Sequence, residues 1–166
     1  MKQAIGYIRV STEKQANEGV SLEAQEAKIV TWCKANGYEL VKVYVDAGIS
    51  GKRMDTRKEL LAALASLKKG MALVSYSLSR LARSTADAIA IGNQIAKKKA
   101  DMVSLSEQID TTTAAGNMMF QMLAVLAEFE RKLTAERTKT ALQHKKATGQ
   151  KYTNQTPYGF EAIEGR

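Results

Sequence analysis

MALVSYSLSRLARSTADAIAIGNQIAKKKADMVSLS, residues 71 to 106, holds a complete strand, helix and strand in succession. Its opening, MALVSY (71 to 76), is a short apolar run that reads as a buried strand, and its end, ADMVSLS (100 to 106), reads as another. Between them Ser84 and Asp87 have the S-x-x-D form of a capping box, which predicts a helix from Ser84 to about Lys99. A helix linking two strands of one sheet makes a crossover, and crossovers make parallel sheets with helices packed over their faces.

The same alternation extends toward the N-terminus. AIGYIRV (4 to 10) is a strand candidate, and the polar stretch STEKQANEG after it leads to a helical pattern from about Ser21 to Asn36. Ser21 is placed to cap that helix at its start and Gly37 at its end. ELVKVYVD (39 to 46) alternates Leu40, Val43 and Val45 with polar neighbours imperfectly, yet its β-branched content argues for a strand ending at Asp46. After a loop with Gly48 and Gly51, Leu60, Leu61, Leu64 and Leu67 recur at helical spacing until Gly70. The expected fold is therefore α/β, a mainly parallel sheet flanked by helices.

From Gly116 to about Lys146 the pattern changes to one long helix without proline or internal glycine. Met118, Met119, Met122, Val125, Leu126, Phe129 and Leu133 form an apolar stripe on its first half, whereas its second half is mainly basic. Two readings stand: a core helix with a solvated tail, or a helix whose Met-rich half packs on a partner subunit and whose basic half lies along DNA. The expected division is an α/β core over 1–115, the long helix over 116–149 and a tail over 150–166.

The chain has 166 residues and a formal net charge of +8, which suits a polyanion such as nucleic acid or an anionic membrane surface. No apolar run is long enough for a membrane span or a secretory signal, so a soluble, cytoplasmic protein is expected. One cysteine, Cys33, excludes an internal disulfide, and with the lone His144 it cannot make a four-ligand zinc site. His144 lies in a lysine-flanked polar segment, a poor setting for the oriented base of a serine triad.

The chemistry-bearing signal is Tyr7-Ile8-Arg9-Val10-Ser11-Thr12. It puts a hydroxyl just past the end of the first strand, at the sheet edge where open α/β folds place their sites, with a guanidinium two residues earlier. Arg57 follows the glycine-containing loop and begins a helix, and Arg80 and Arg83 stand three apart before the Ser84 cap, where a helix or turn would project both to one side. Arginine pairs bidentately with phosphate oxygens, and a cluster of guanidiniums around a serine would stabilise a pentacoordinate phosphorane without histidine or metal.

Four stretches in order, IGYIRVSTEKQ, DAGISGKRMDTR, YSLSRLARSTADA and FERKLTAERT, resemble the catalytic domain of the serine recombinases of the resolvase/invertase kind, over about residues 3 to 146. The NEGVSLEAQ segment resembles the large members. The resemblance implies a resolvase-like fold, Ser11 as a nucleophile forming a 5′-phosphoserine bond, and Arg9, Arg57, Arg80 and Arg83 as phosphate-binding residues. Tyr7, Gln15, Gln25, Ser50, Ser79 and Glu136 are then supporting residues, and the basic half of the long helix, by its charge, offers Arg131, Arg137, Lys139, Lys145 and Lys146 as DNA contacts. The resemblance implies no cofactor and no metal, double-stranded DNA as partner, a homodimer, and a tetramer in the synaptic complex.

Two departures accompany the resemblance. Ser79 stands directly before Arg80 where the family carries an aspartate associated with protonation of the leaving 3′ oxygen. TPYGF (156 to 160) resembles the opening of a further domain, so a catalytic domain without its DNA-reading part is expected. The alternatives are a catalytically silent DNA-binding or regulatory module of the same fold, and a phosphoacceptor receiver with Asp46 as acceptor, which lacks the neighbouring acidic pair that would hold magnesium.

Overall fold

The structure, a computed structural model, describes residues 1–10, 21–47 and 57–148. The elements follow as β1 (Lys2–Val10), α1 (Leu22–Ala35), β2 (Tyr38–Ala47), α2 (Lys58–Ser66), β3 (Ala72–Ser75), α3 (Leu78–Leu81), α4 (Thr85–Lys97), β4 (Asp101–Ser104), β5 (Ile109–Asp110) and α5 (Ala114–Ala147). They make a five-stranded sheet in the order β2-β1-β3-β4-β5, parallel except for the antiparallel β4–β5 pair at the edge. The α/β architecture expected from the alternation of patterns is the one observed.

That strand order explains the layering. The chain moves from β1 to β2 on one side, then crosses back to β3 on the other side of β1, and right-handed crossovers running in opposite directions place their helices on opposite faces. One core accordingly gathers Ala4, Ile8, Tyr38, Val74 and Val103 under Ile29 and Cys33 of α1. The other gathers Ile5, Tyr7, Tyr44, Leu73 and Met102 under Leu60 and Leu64 of α2, Ile91 and Ile95 of α4, and Phe120 of α5. Burial on both faces is why β3 opens on three consecutive apolar residues, Ala72, Leu73 and Val74, with no alternation.

The imperfect alternation of β2 has a structural cause. Ala4 pairs with Leu40 but Ile5 with Lys42, so Val41 is an extra residue, a bulge, in β2. Before the bulge Tyr38 and Leu40 face α1; after it Val43 faces α1, and Tyr44 and, two residues on, Asp46 face α2. One inserted residue thereby sets Asp46 on the same side as Tyr7.

The two serine caps act as expected: Ser21 Oγ accepts from Ala24 N at 3.2 Å and Ser84 Oγ from Asp87 N at 3.1 Å. Gly37, just past α1, has φ +69°, the left-handed conformation that favours glycine. Two short elements carry no signal of their own in the sequence, α3 and β5. The four-residue α3 ends at Ala82, which is extended (φ −141°, ψ 160°), so Arg80 and Arg83 are not on one helical stretch and do not project to one side.

Met1–Val125 form one compact unit and the chain from Leu126 onward a second, so the division falls within α5. In the first unit α5 docks through Gly116 and Phe120, with Phe120 packed on Gly92 of α4. Met118, Met119, Met122 and Val125, four members of the stripe singled out in the sequence, are exposed instead. In the second unit Arg131, Glu136, Arg137, Lys139, Lys145 and Lys146 are all exposed. Among the described residues no helix is long and apolar enough to cross a membrane.

Candidate active site

In an open sheet of order 2-1-3-4-5 the crevice lies at the C-terminal ends of β1 and β3, where successive crossovers diverge. Arg9 sits at the end of β1, Arg80 on α3 shortly after β3, and Arg57 at the start of α2, and the structure brings these three together.

Arg57 is almost fully buried, 3% exposed, and its fork is held from several directions. Nε and Nη2 donate to the Tyr7 hydroxyl at 3.2 and 2.7 Å, Nη2 also to the Arg80 carbonyl at 2.8 Å, and Nη1 to the Leu81 carbonyl at 2.6 Å. The guanidinium also lies 5.3 Å from the Tyr7 ring centroid. The Tyr7 hydroxyl in turn donates to Asp46 Oδ2 at 2.9 Å. Asp46 then finishes the start of α2: its two oxygens accept from Glu59 N and Leu60 N, each at 3.3 Å. These are the second and third helical amides, where a capping residue's side chain normally bonds. The cap of α2 thus comes from β2, and Arg57, the residue at the capping position, leaves its side chain for the rim.

Arg9 binds the same turn. Its Nε donates to the Arg80 carbonyl at 3.3 Å and its Nη2 to the Ser79 carbonyl at 2.9 Å. Burial, and next the Arg57 charge, depress the Arg9 pKa, as expected where cations are crowded in a water-poor rim. Burial pushes the Tyr7 hydroxyl well above its ordinary value, overcoming the opposing pull of Arg57. Such a rim attracts an anion, which would relieve the mutual repulsion of the guanidiniums.

The remaining expected residues are distributed as follows. Arg80 is 7% exposed, whereas the Arg83 side chain is 61% exposed and pairs with Asp87 at 3.0 Å. Gln25 is fully buried on α1. Ser79 pairs with Ser77, Oγ to Oγ, at 2.8 Å. Ser11, Gln15 and Ser50 lie outside the described residues. Asp46, considered in the sequence only as a phosphoacceptor, is engaged instead with Tyr7 and the α2 amides. Glu107, which accepts from Leu78 N at 3.1 Å and from the Ser104 hydroxyl, carries no motif that would have drawn attention to it. Among the described residues no group of three His, Cys, Asp or Glu side chains is placed to hold a metal.

Comparison with known proteins gives the same direction. The family model for the resolvase N-terminal domain matches residues 4–151. The DNA-invertase of Escherichia phage P1 is 34% identical over 145 residues, covering 87% of this chain and 71% of that protein. The DNA-invertase hin of Salmonella typhimurium is 36% identical over 145 residues, with 87% and 70% covered. Among solved structures, the N-terminal catalytic domain of TP901-1 integrase matches with a TM-score of 0.69 and 33% identity, over 80% of this chain and 99% of that one. A resolvase family site-specific recombinase from Streptococcus pneumoniae matches with a TM-score of 0.71 and 29% identity, over 89% and 99%. With its arginine rim, parallel sheet and trailing helix, the chain belongs to the resolvase N-terminal domain family of serine recombinases.

Proposed function

We propose that this chain performs the strand transfer of site-specific recombination on double-stranded DNA in the cytoplasm, with Ser11 as nucleophile. The observation that carries the reading is the convergence of the Arg9 and Arg57 guanidiniums on the turn that carries Arg80, at the end of β1, since the chain passes from Arg9 through Val10 directly to Ser11. Ser11 Oγ attacks the phosphorus, gives up its proton, and forms an ester with the 5′ phosphate; the P–O3′ bond breaks and the 3′ oxygen takes up a proton. Religation is the reverse attack by a 3′ hydroxyl. One phosphoester replaces another at each step, so neither ATP nor a metal is needed for balance.

The roles divide according to what each guanidinium already binds within the fold. Arg9 and Arg80 meet the phosphate most directly and Arg83 reaches it from the exposed side, while Arg57, with its donors turned inward to Tyr7 and the turn carbonyls, supplies charge and holds the rim in shape. Tyr7, Gln25 and Ser79 support this frame, and Gln15, Ser50 and Glu136 are assigned supporting parts on family resemblance. Arg131, Arg137, Lys139, Lys145 and Lys146 contact DNA phosphates. Exposed Met118, Met119, Met122 and Val125 form the contact of a homodimer, which pairs into a tetramer when two sites are joined. The test is covalent capture on nicked suicide duplexes. Wild-type chain should form an adduct stable to denaturant, and Ser11→Ala should form none while keeping its fold; an adduct in the alanine variant would falsify the assignment.

A further inference from the structure

The carbonyls that hold Arg9 and Arg57 all belong to residues 79 to 81. Whatever fixes that short segment therefore fixes two guanidiniums. On its N-terminal side the segment is tied to the end of the neighbouring strand: Leu105 N donates to the Ser75 carbonyl at 3.1 Å and Ser106 N to the Tyr76 carbonyl at 2.8 Å. The tie then continues through a side chain. Glu107 Oε2 accepts from Leu78 N, the first amide of α3, and from the hydroxyl of Ser104, which is fully buried at the end of β4. Gln108, next along, has φ +55°, so the β4–β5 turn holds a non-glycine residue in the left-handed region beside the glutamate.

We infer that Glu107 is a positioning residue for the arginine rim: through one carboxylate oxygen it fastens the start of α3 to the end of β4, and thereby sets the carbonyls of Ser79, Arg80 and Leu81 to which Arg9 and Arg57 donate. The functional consequence rests on the reading of this rim as the phosphate site. Its two partners, Leu78 N and the Ser104 hydroxyl, make it a group that acts through the turn and not on the phosphate. Since both bonds end on Oε2, a glutamine carbonyl can accept both, whereas alanine can accept neither.

The test uses the whole 166-residue chain as Glu107→Ala and Glu107→Gln. Its direct readout is solvent exchange of arginine Nε–H protons by NMR. The Arg9 Nε–H donates to the Arg80 carbonyl and so reports the turn, whereas that of Arg57 donates to Tyr7 on the sheet and serves as an internal reference. In Glu107→Ala the Arg9 Nε–H should exchange about tenfold faster, the effect of weakening roughly one hydrogen bond. The Arg57 Nε–H should change by less than about threefold on the same scale. Glu107→Gln should restore the wild-type rate. Adduct formation on nicked duplexes should be slowed about tenfold in the alanine variant and recovered in the glutamine variant. An unchanged Arg9 rate in Glu107→Ala, equal acceleration at Arg57, or a glutamine variant that behaves like alanine overturns the inference. An adduct that persists in Ser11→Ala would instead sink the strand-transfer reading, and the exchange rates would still decide the role of Glu107.

Discussion

Tyr7→Phe is the perturbation whose size can be worked out most directly. The phenylalanine ring keeps the packing of a fully buried side chain in the core that also holds Tyr44 and Leu60, and it keeps a face toward the Arg57 guanidinium. Only the hydroxyl is lost, and with it the acceptor for two N–H groups of Arg57 and one of the hydrogen bonds to Asp46. Two buried donors left without an acceptor, at roughly 1–3 kcal/mol each, put the loss near 3 kcal/mol. For a chain of this length that lowers the thermal midpoint by about 6–12 °C. The pH dependence supplies a second check. Burial raises the Tyr7 pKa in the folded state, so the unfolded chain releases the phenolic proton first. The stability that Tyr7 contributes is complete below the ordinary tyrosine value of about 10 and is lost as pH rises from there toward the folded value. Urea unfolding of both proteins at a series of pH values should therefore show a constant gap from pH 7 to about 9.5. Above pH 10 the gap should narrow by up to about 1.4 kcal/mol per pH unit. A gap below about 1 kcal/mol at neutral pH, or one that does not narrow in alkali, would mean that the hydroxyl is not the keystone of this network.

Arg80→Ala and Arg9→Ala should each lower the rate of adduct formation by at least about a hundredfold in single-turnover capture, whereas Lys97→Ala, on an exposed surface of α4, should leave it unchanged. Gly116→Ala should destabilise the chain by about 1–3 kcal/mol in urea, because a methyl there would land on the Asp110 carbonyl and lift the start of α5 from β5. Sedimentation should show the wild-type chain associating and Met122→Lys shifted toward monomer, since Met122 is 63% exposed on the apolar face of α5. DNA affinity measured on unrelated duplexes at two salt concentrations should be weak, indifferent to sequence and steeply salt-dependent, as expected for exposed cations that meet only phosphates.

The alternation of strands and helices is legible along the chain, because local signals carry it: the Ser21 and Ser84 caps, the left-handed Gly37, and apolar runs such as MALV. The sequence also marked Arg9, Arg57 and Arg80, since their placement at element ends already puts them on one rim of a parallel sheet. It did not distinguish their surroundings. Arg80 and Arg83 look equivalent at a three-residue spacing, yet the extended Ala82 turns one inward and leaves the other beside Asp87. In α5 the apolar stripe read from periodicity contains the exposed methionines, while Phe120, outside that stripe, enters the core because Gly92 leaves room for its ring. The partners of Asp46 were decided by the bulge at Val41, which reverses the faces of β2 and brings the carboxylate to Tyr7 and to the first turn of α2. Glu107 is a plain turn residue until β3 and β4 lie side by side. Caps and periodicity depend on neighbours within a few residues, so they are written in order along the chain. The Tyr7–Asp46–Arg57 network joins residues 39 and 50 positions apart, and only the register of the folded sheet specifies which of them meet.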